Sequence, residues 1–176
     1  MSHLMPRQPV PALDVPTLDG GRWNITDSKP ENFNLIVFYR GLHCPICATY
    51  IRDLDRKVAQ FRERGVEPVV ISSDSEDRAG ETKESWGLEN LTIGHGLSID
   101  AAREWGLYIS SSRGKTSVGV LEPPLFSEPG LFLVRPDGTL YASAVNTMPF
   151  ARPNFGELIK ALDFIIERDY PARGEA

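Results

Sequence analysis

A chain of 176 residues, 41% of them hydrophobic, can bury one core without covalent staples and is not disordered in composition. A formal net charge of −5 with no basic stripe argues against nucleic acid as a partner, and no apolar run approaches the roughly 20 residues of a transmembrane helix. The opening "MSHLMPRQPVPAL" lacks the apolar core of a signal peptide, so a cytoplasmic location is expected, a reducing compartment that disfavours purely structural disulfides.

In chain order, residues 1–12 read as an extended, proline-rich lead-in. "LDVPTLDGGRWNI" has the pattern of a hairpin, with Asp19-Gly20-Gly21 supplying the positive φ angles of its turn. "LIVFY" (35–39) is a continuous apolar run, as in a strand covered on both faces. From Pro45 to Arg64 the period changes: Ile46, Tyr50, Ile51, Leu54, Val58 and Phe61 recur at three- and four-residue spacing, and Gly65 closes a helix. "VEPVVISS" (66–73) predicts a second buried strand, "SEDRAGETKESWG" a polar helix ending near Gly87, "LTIG" a short strand and "SIDAAREWG" another helix. Residues 108–128, rich in serine, glycine and proline, read as an irregular loop, part of which covers the cysteine site or forms a subunit contact, or else as a surface loop with its own small apolar cluster. "GLFLV" (130–134) is a third buried strand, and "RPDG" turns the chain into "TLYASAV", its antiparallel partner. Residues 154–168 form an amphipathic helix with Phe155, Leu158, Ile159, Leu162, Ile165 and Ile166 inward, and Pro171 opens a tail over 171–176. The order βαβ, a middle segment, then ββα implies an α/β fold with a mixed central sheet in a single domain over 13–170.

Both cysteines stand two residues apart in "VFYRGLHCPICATYI". Cys44 falls where the first buried strand and its loop end and the long helix begins, so unpaired backbone N–H groups and the helix dipole favour its thiolate. Pro45 suits the first helical turn, where its missing N–H costs nothing. Cys47 lies one turn further on, able to reach back as a disulfide. Three readings compete: a redox dithiol, a metal site, and two buried structural thiols. The spacing beside a βαβ pattern favours the dithiol. Zinc needs four ligands, and His43 with the two cysteines supplies at most three nearby, the other histidines being the distant His3 and His95. His43 either adds positive charge that stabilises the thiolate or is a loop residue facing water. Arg40 either stabilises the thiolate or a sulfenate or is a surface cation.

Other signals are discounted. "RGKTS" (113–117) resembles the end of a P-loop, but Ile109 stands where the first glycine is required. Trp86 and Trp105, each just before a glycine, read as core, and "SDSEDR" (73–78) as helix capping. No cofactor or metal is implied.

Together, "LDVPTLDGGRWNI", "LIVFYRGLHCPIC", "VEPVVISSDSED" and "GLFLVRPDGTLY" resemble the peroxiredoxin-like branch of the alkyl hydroperoxide reductase/thiol-specific antioxidant family, over about residues 10–168. The resemblance implies a thioredoxin-like three-layer α/β/α sandwich with an N-terminal β-hairpin and an insertion before the last hairpin. It implies an antioxidant oxidoreductase that acts on a peroxide or disulfide substrate: Cys44 as peroxidatic cysteine, Cys47 as resolving cysteine, and a thioredoxin- or glutaredoxin-type reductant. A homodimer is compatible with it. The chain departs from the family's P-x-x-x-T-x-x-C frame, with Val37 and Gly41 at the Pro and Thr positions. Ser127-Glu128-Pro129 replaces the family's arginine. These departures remove transition-state donors and keep a protein-disulfide reductase, or a non-enzymatic redox-sensing module, as alternatives. By the same resemblance Pro129 is expected to follow a cis peptide bond and to lie beside Cys44.

Overall fold

The computed structural model describes residues 4–176, which leaves His3 outside the described residues. β1 (Asp14–Pro16) and β2 (Arg22–Asn24) form the expected hairpin, with Val15 opposite Trp23. Of the three turn residues only Gly20 has positive φ, at 83°. The Asp19 carboxylate accepts the Thr17 hydroxyl and the Gly21 N–H and holds the rest of the turn.

Five strands make the central sheet: β3 (Phe33–Phe38), β4 (Val66–Ile71), β5 (Thr92–Gly94), β8 (Gly130–Val134) and β9 (Leu140–Val145), in the spatial order β5-β4-β3-β8-β9. β3, β4 and β5 are parallel, β8 runs antiparallel to β3, and β9 antiparallel to β8. Side-chain alternation splits β3 between two cores. Leu35 and Val37 face one, with α1 (Pro45–Arg62), α2 (Glu76–Trp86) and α4 (Phe155–Arg168) packed over it. Ile36 and Phe38 face the other, under α3 (Ile99–Glu104) and the N-terminal segment. Covered on both faces, β3 is apolar at five of its six positions, as its sequence reads. The result is the mixed-sheet, three-layer α/β/α sandwich expected.

The helices are bounded by the residues that chemistry favours there. Ser75, Ser98 and Asn154 cap α2, α3 and α4 by accepting a backbone N–H from the first turn, and Gly87 ends α2 in the left-handed region. Trp86 and Trp105 are buried, as read. The inward assignment of Ile166 is corrected, and Ile46, which shares the apolar spacing of α1, is not buried either. Ile46 is 44% exposed and Ile166 37%, because each lies at the margin of its helix's apolar stripe, where no neighbouring element covers it.

The segment 108–128 is also corrected: it is not irregular. β6 (Ile109–Ser111) and β7 (Leu125–Ser127) pair antiparallel, and an isolated bridge between Lys115 and Leu121 carries the ribbon outward. Its side chains show no apolar alternation because the few that are buried, Glu122, Phe126, Ser127 and Glu128, are mostly polar; cross-strand backbone bonds such as Glu122 N–H to Gly114 C=O hold it. The lead-in runs along β9, exchanging backbone bonds with Gly138 and Leu140, and Arg7 donates to the carbonyl of the buried Ala172 at 2.7 and 3.0 Å.

Candidate active site

Cys44 is the N-cap of α1. Its backbone is extended (φ −101°, ψ 102°) and its Sγ accepts the Cys47 N–H at 3.3 Å, the place a serine or aspartate oxygen takes in an ordinary cap. Pro45 occupies the first helical position and leaves no donor unpaired there. The loop before Cys44 is set by Gly41, whose φ of 128° favours glycine and whose carbonyl accepts the Cys44 N–H. A Cβ at Gly41 would stand 2.5 Å from a carboxylate oxygen of buried Asp74. The same oxygen accepts the Leu42 N–H at 2.8 Å, while Arg78 donates to the other at 2.9 Å. Glycine at position 41 is thus a local necessity: backbone and carboxylate fill the space where a side chain would go.

The two thiols are unequal. The Cys44 pKa is brought down to about 7, first by the hydrogen bond from the Cys47 thiol and then by the Cys47 N–H, Arg40 and Arg152, against the cost of burial. The Cys47 thiol is pushed well up, by burial first and then by the anion it serves on Cys44. Of the two sulfurs, Cys44 is thus the one that more readily carries charge, and Cys47 the one that keeps its proton. Both are free thiols and both are enclosed, Cys44 with 1% of its surface exposed.

Arg40 is no simple surface cation. Its guanidinium faces the Glu128 carboxylate at 3.4 Å and Glu122 at 3.8 Å, and lies 4.9 Å from the centre of the Phe126 ring. All three partners belong to the β6–β7 ribbon or its end, so Arg40 ties that ribbon to the cysteine loop. Val118 and Val120, further out on the ribbon, share a groove with Leu42 and Pro45. His43 fits neither of its two readings. Its ring is fully buried, 4.6 Å from Phe126, with neither nitrogen hydrogen-bonded, and burial lowers its pKa to about 4. It faces no water, and near neutrality it carries no charge for the thiolate.

Pro129 is corrected: the described residues contain no cis peptide bond. The Glu128–Pro129 bond is therefore trans; the Pro129 carbonyl accepts the Asn146 N–H at 3.0 Å, and Gly130 next to it pairs with Phe38. That register sets Pro129 level with Tyr39, at the end of β3 from which the cysteine loop leaves.

Two residues escaped the sequence reading. Asp74 was absorbed into helix capping. Arg152, between β9 and α4, donates to Cys47 Sγ at 3.7 Å and to the Ile46 carbonyl at 3.4 Å, with its guanidinium carbon 3.9 Å from the Tyr50 ring centre. A cation two residues before a helix N-cap opposes that helix's dipole, which is the one local sign that it serves another element. Around Arg152 a groove of about 590 Å³ is lined by Ile46, Tyr50, Pro149 and Phe150. Among the described residues no cluster of His, Cys, Asp and Glu could hold a metal, and no helix is long and apolar enough to cross a membrane.

The profile of the AhpC/TSA family matches residues 6–143. No curated protein sequence matches the chain. Among solved structures, peroxidoxin BcpB from Mycobacterium tuberculosis superposes with a TM-score of 0.71 at 16% identity, over 93% of this chain and 99% of that one. A peroxiredoxin-like protein from Aquifex aeolicus gives 0.72 at 17%, over 94% and 90%. AhpC from Enterococcus faecalis gives 0.73 at 18%, over 97% and 99%. With the matched profile spanning most of the chain and the sheet order described above, the chain belongs to the AhpC/TSA family and has its thioredoxin-like fold.

Proposed function

We propose that the protein is a peroxiredoxin-like thiol peroxidase in which Cys44 is the peroxidatic and Cys47 the resolving cysteine. The observation that carries this reading is the asymmetric pair at the mouth of α1: a low-pKa sulfur capping the helix, with a second thiol one turn away and hydrogen-bonded to it. The Cys44 thiolate attacks one peroxide oxygen; the S–O bond forms, the O–O bond breaks, and the other oxygen leaves as an alcohol or water after taking a proton. Cys47, deprotonated, then attacks the Cys44 sulfur of the sulfenic acid. The S–S bond forms and hydroxide leaves, protonated to water. A thioredoxin- or glutaredoxin-type dithiol returns the two electrons by exchange.

Supporting roles go to Arg40, whose charge favours the thiolate, to Gly41 and Pro45, which shape loop and helix start, to His43, which packs on Phe126, and to Pro129, level with Tyr39 where the cysteine loop leaves β3. A second reading, protein-disulfide reduction by the same pair, is favoured by Gly41 and Glu128 standing where the family has threonine and arginine. Stopped-flow tryptophan fluorescence with hydrogen peroxide separates the two. A peroxidase shows rapid oxidation that Cys44→Ser abolishes, with a rate that rises with pH through about 7 and levels above it, because only the thiolate reacts. Silence toward peroxide together with accelerated insulin reduction would install the reductase instead. Silence in both assays leaves a redox-sensing module.

A further inference from the structure

Sulfenic acid chemistry needs a second anion. Cys47 must give up its proton to attack, yet it is wholly buried and its thiol is held protonated by enclosure and by the charge on Cys44. The first of these persists after Cys44 is oxidised; the second ends, because a sulfenic acid is neutral. What then remains in favour of the Cys47 anion is the Arg152 guanidinium at 3.7 Å, with the Arg40 backbone N–H as a second, weaker donor.

Arg152 is held there by its surroundings. Its other nitrogen donates to the Ile46 carbonyl, the flat guanidinium lies against Tyr50, and Tyr50 in turn donates to the Pro153 carbonyl at 2.6 Å. Ala151, just before it, sits in the left-handed region at φ 58°, an uncommon conformation for a residue with a side chain. No carboxylate lies within salt-bridge distance of Arg152 among the described residues, so its charge is not spent elsewhere. Arg40, by contrast, faces two glutamates.

We propose that Arg152 is the catalytic cation of the resolving step: it stabilises the Cys47 thiolate that attacks the Cys44 sulfenic acid. The step makes the Cys44–Cys47 S–S bond and breaks the Cys44 S–OH bond. Cys47 releases its proton to solvent and supplies the electron pair, and the departing hydroxide is protonated to water. Arg152 gives up no proton; it holds charge at the attacking sulfur. This assignment rests on the peroxidase reading for its chemistry, but the contact with Cys47 can be tested without it.

The test has two arms. In a Cys44→Ser background, which leaves Cys47 as the single thiol and a good helix cap in place, thiolate absorbance at 240 nm is followed against pH with Arg152 intact, Arg152→Gln and Arg152→Lys. Loss of a charge-assisted contact raises the Cys47 midpoint enough to cut the thiolate fraction about tenfold in the glutamine variant. Lysine restores part of it. An unmoved midpoint overturns the proposal, whatever peroxide does. In the protein with both cysteines, peroxide is added and Cys44 sulfenic acid is trapped with dimedone. Arg152→Gln is expected to accumulate the trapped species and to form the disulfide about tenfold more slowly, with the pH profile of that step displaced upward. Disulfide formation at the parental rate overturns the proposal. If the parent protein forms neither species, it is the peroxidase reading that falls, and the first arm alone decides whether Arg152 governs Cys47.

Discussion

Cys44 and Gly41 show how single positions set the chemistry of the loop. At Gly41 the constraint is steric, from a φ of 128° with the Asp74 carboxylate against the missing Cβ. Gly41→Thr, which restores the family's residue, is expected to cost at least about 1–3 kcal/mol and to raise the Cys44 pKa rather than help catalysis. Chemical denaturation with a thiolate titration checks both. His43 makes a different prediction. Its folded pKa of about 4 lies below the ordinary 6.5, so between those values the unfolded chain binds more protons than the native one. Stability is complete above about pH 6.5 and falls as pH drops toward 4, by up to about 3 kcal/mol. His43→Phe keeps the packing on Phe126 and should flatten that part of the pH–stability curve relative to the parent. An unchanged slope would mean the ring is not shut away from water.

Among the elements, the β6–β7 ribbon matters most for access. Cys44 is nearly closed off, and the ribbon reaches the cysteine loop through Arg40, its two glutamates and Phe126. Exchanging these contacts is expected to accompany turnover. Amides of 109–127 should exchange with deuterium faster in the reduced than in the disulfide form, and Arg40→Ala should speed them in both. Identical protection in the two redox states removes the lid. The sequence named the segment functional but missed that it is a paired ribbon. Strand patterning is legible only where one face is buried, and here the ladder is backbone alone, with Phe126 the single large side chain packed beneath. α1 and β3, by contrast, were readable within one to two residues because burial imposes a period on them. Ile46 and Ile166 mark the limit of that rule: periodicity gives the stripe, not which of its edges a neighbour covers.

At the scale of the whole molecule, two cores lie on either side of one sheet, and the cysteine pair belongs to the larger of them. The smaller core stacks Phe38, Trp105 and Phe132 with ring centres 5.0–5.7 Å apart, and the Trp105 indole N–H reaches the Ala12 carbonyl at 3.4 Å. Trp105→Ala is expected to cost about 3–5 kcal/mol in urea unfolding and to loosen the N-terminal segment, leaving the Cys44 titration nearly unchanged. The sequence by itself determined the order of elements, the two-sided burial of β3, and Cys44 at a helix mouth with Cys47 one turn on. These are consequences of local periodicity and of residues near one another in the chain. The tertiary structure alone decided that His43 is buried and neutral, that Pro129 is trans, that Asp74 props Gly41, and that Arg152 arrives at the Cys47 sulfur from more than a hundred positions away. Desolvation and charge act through space, and spatial neighbours across a folded sheet leave no mark on the spacing of the chain.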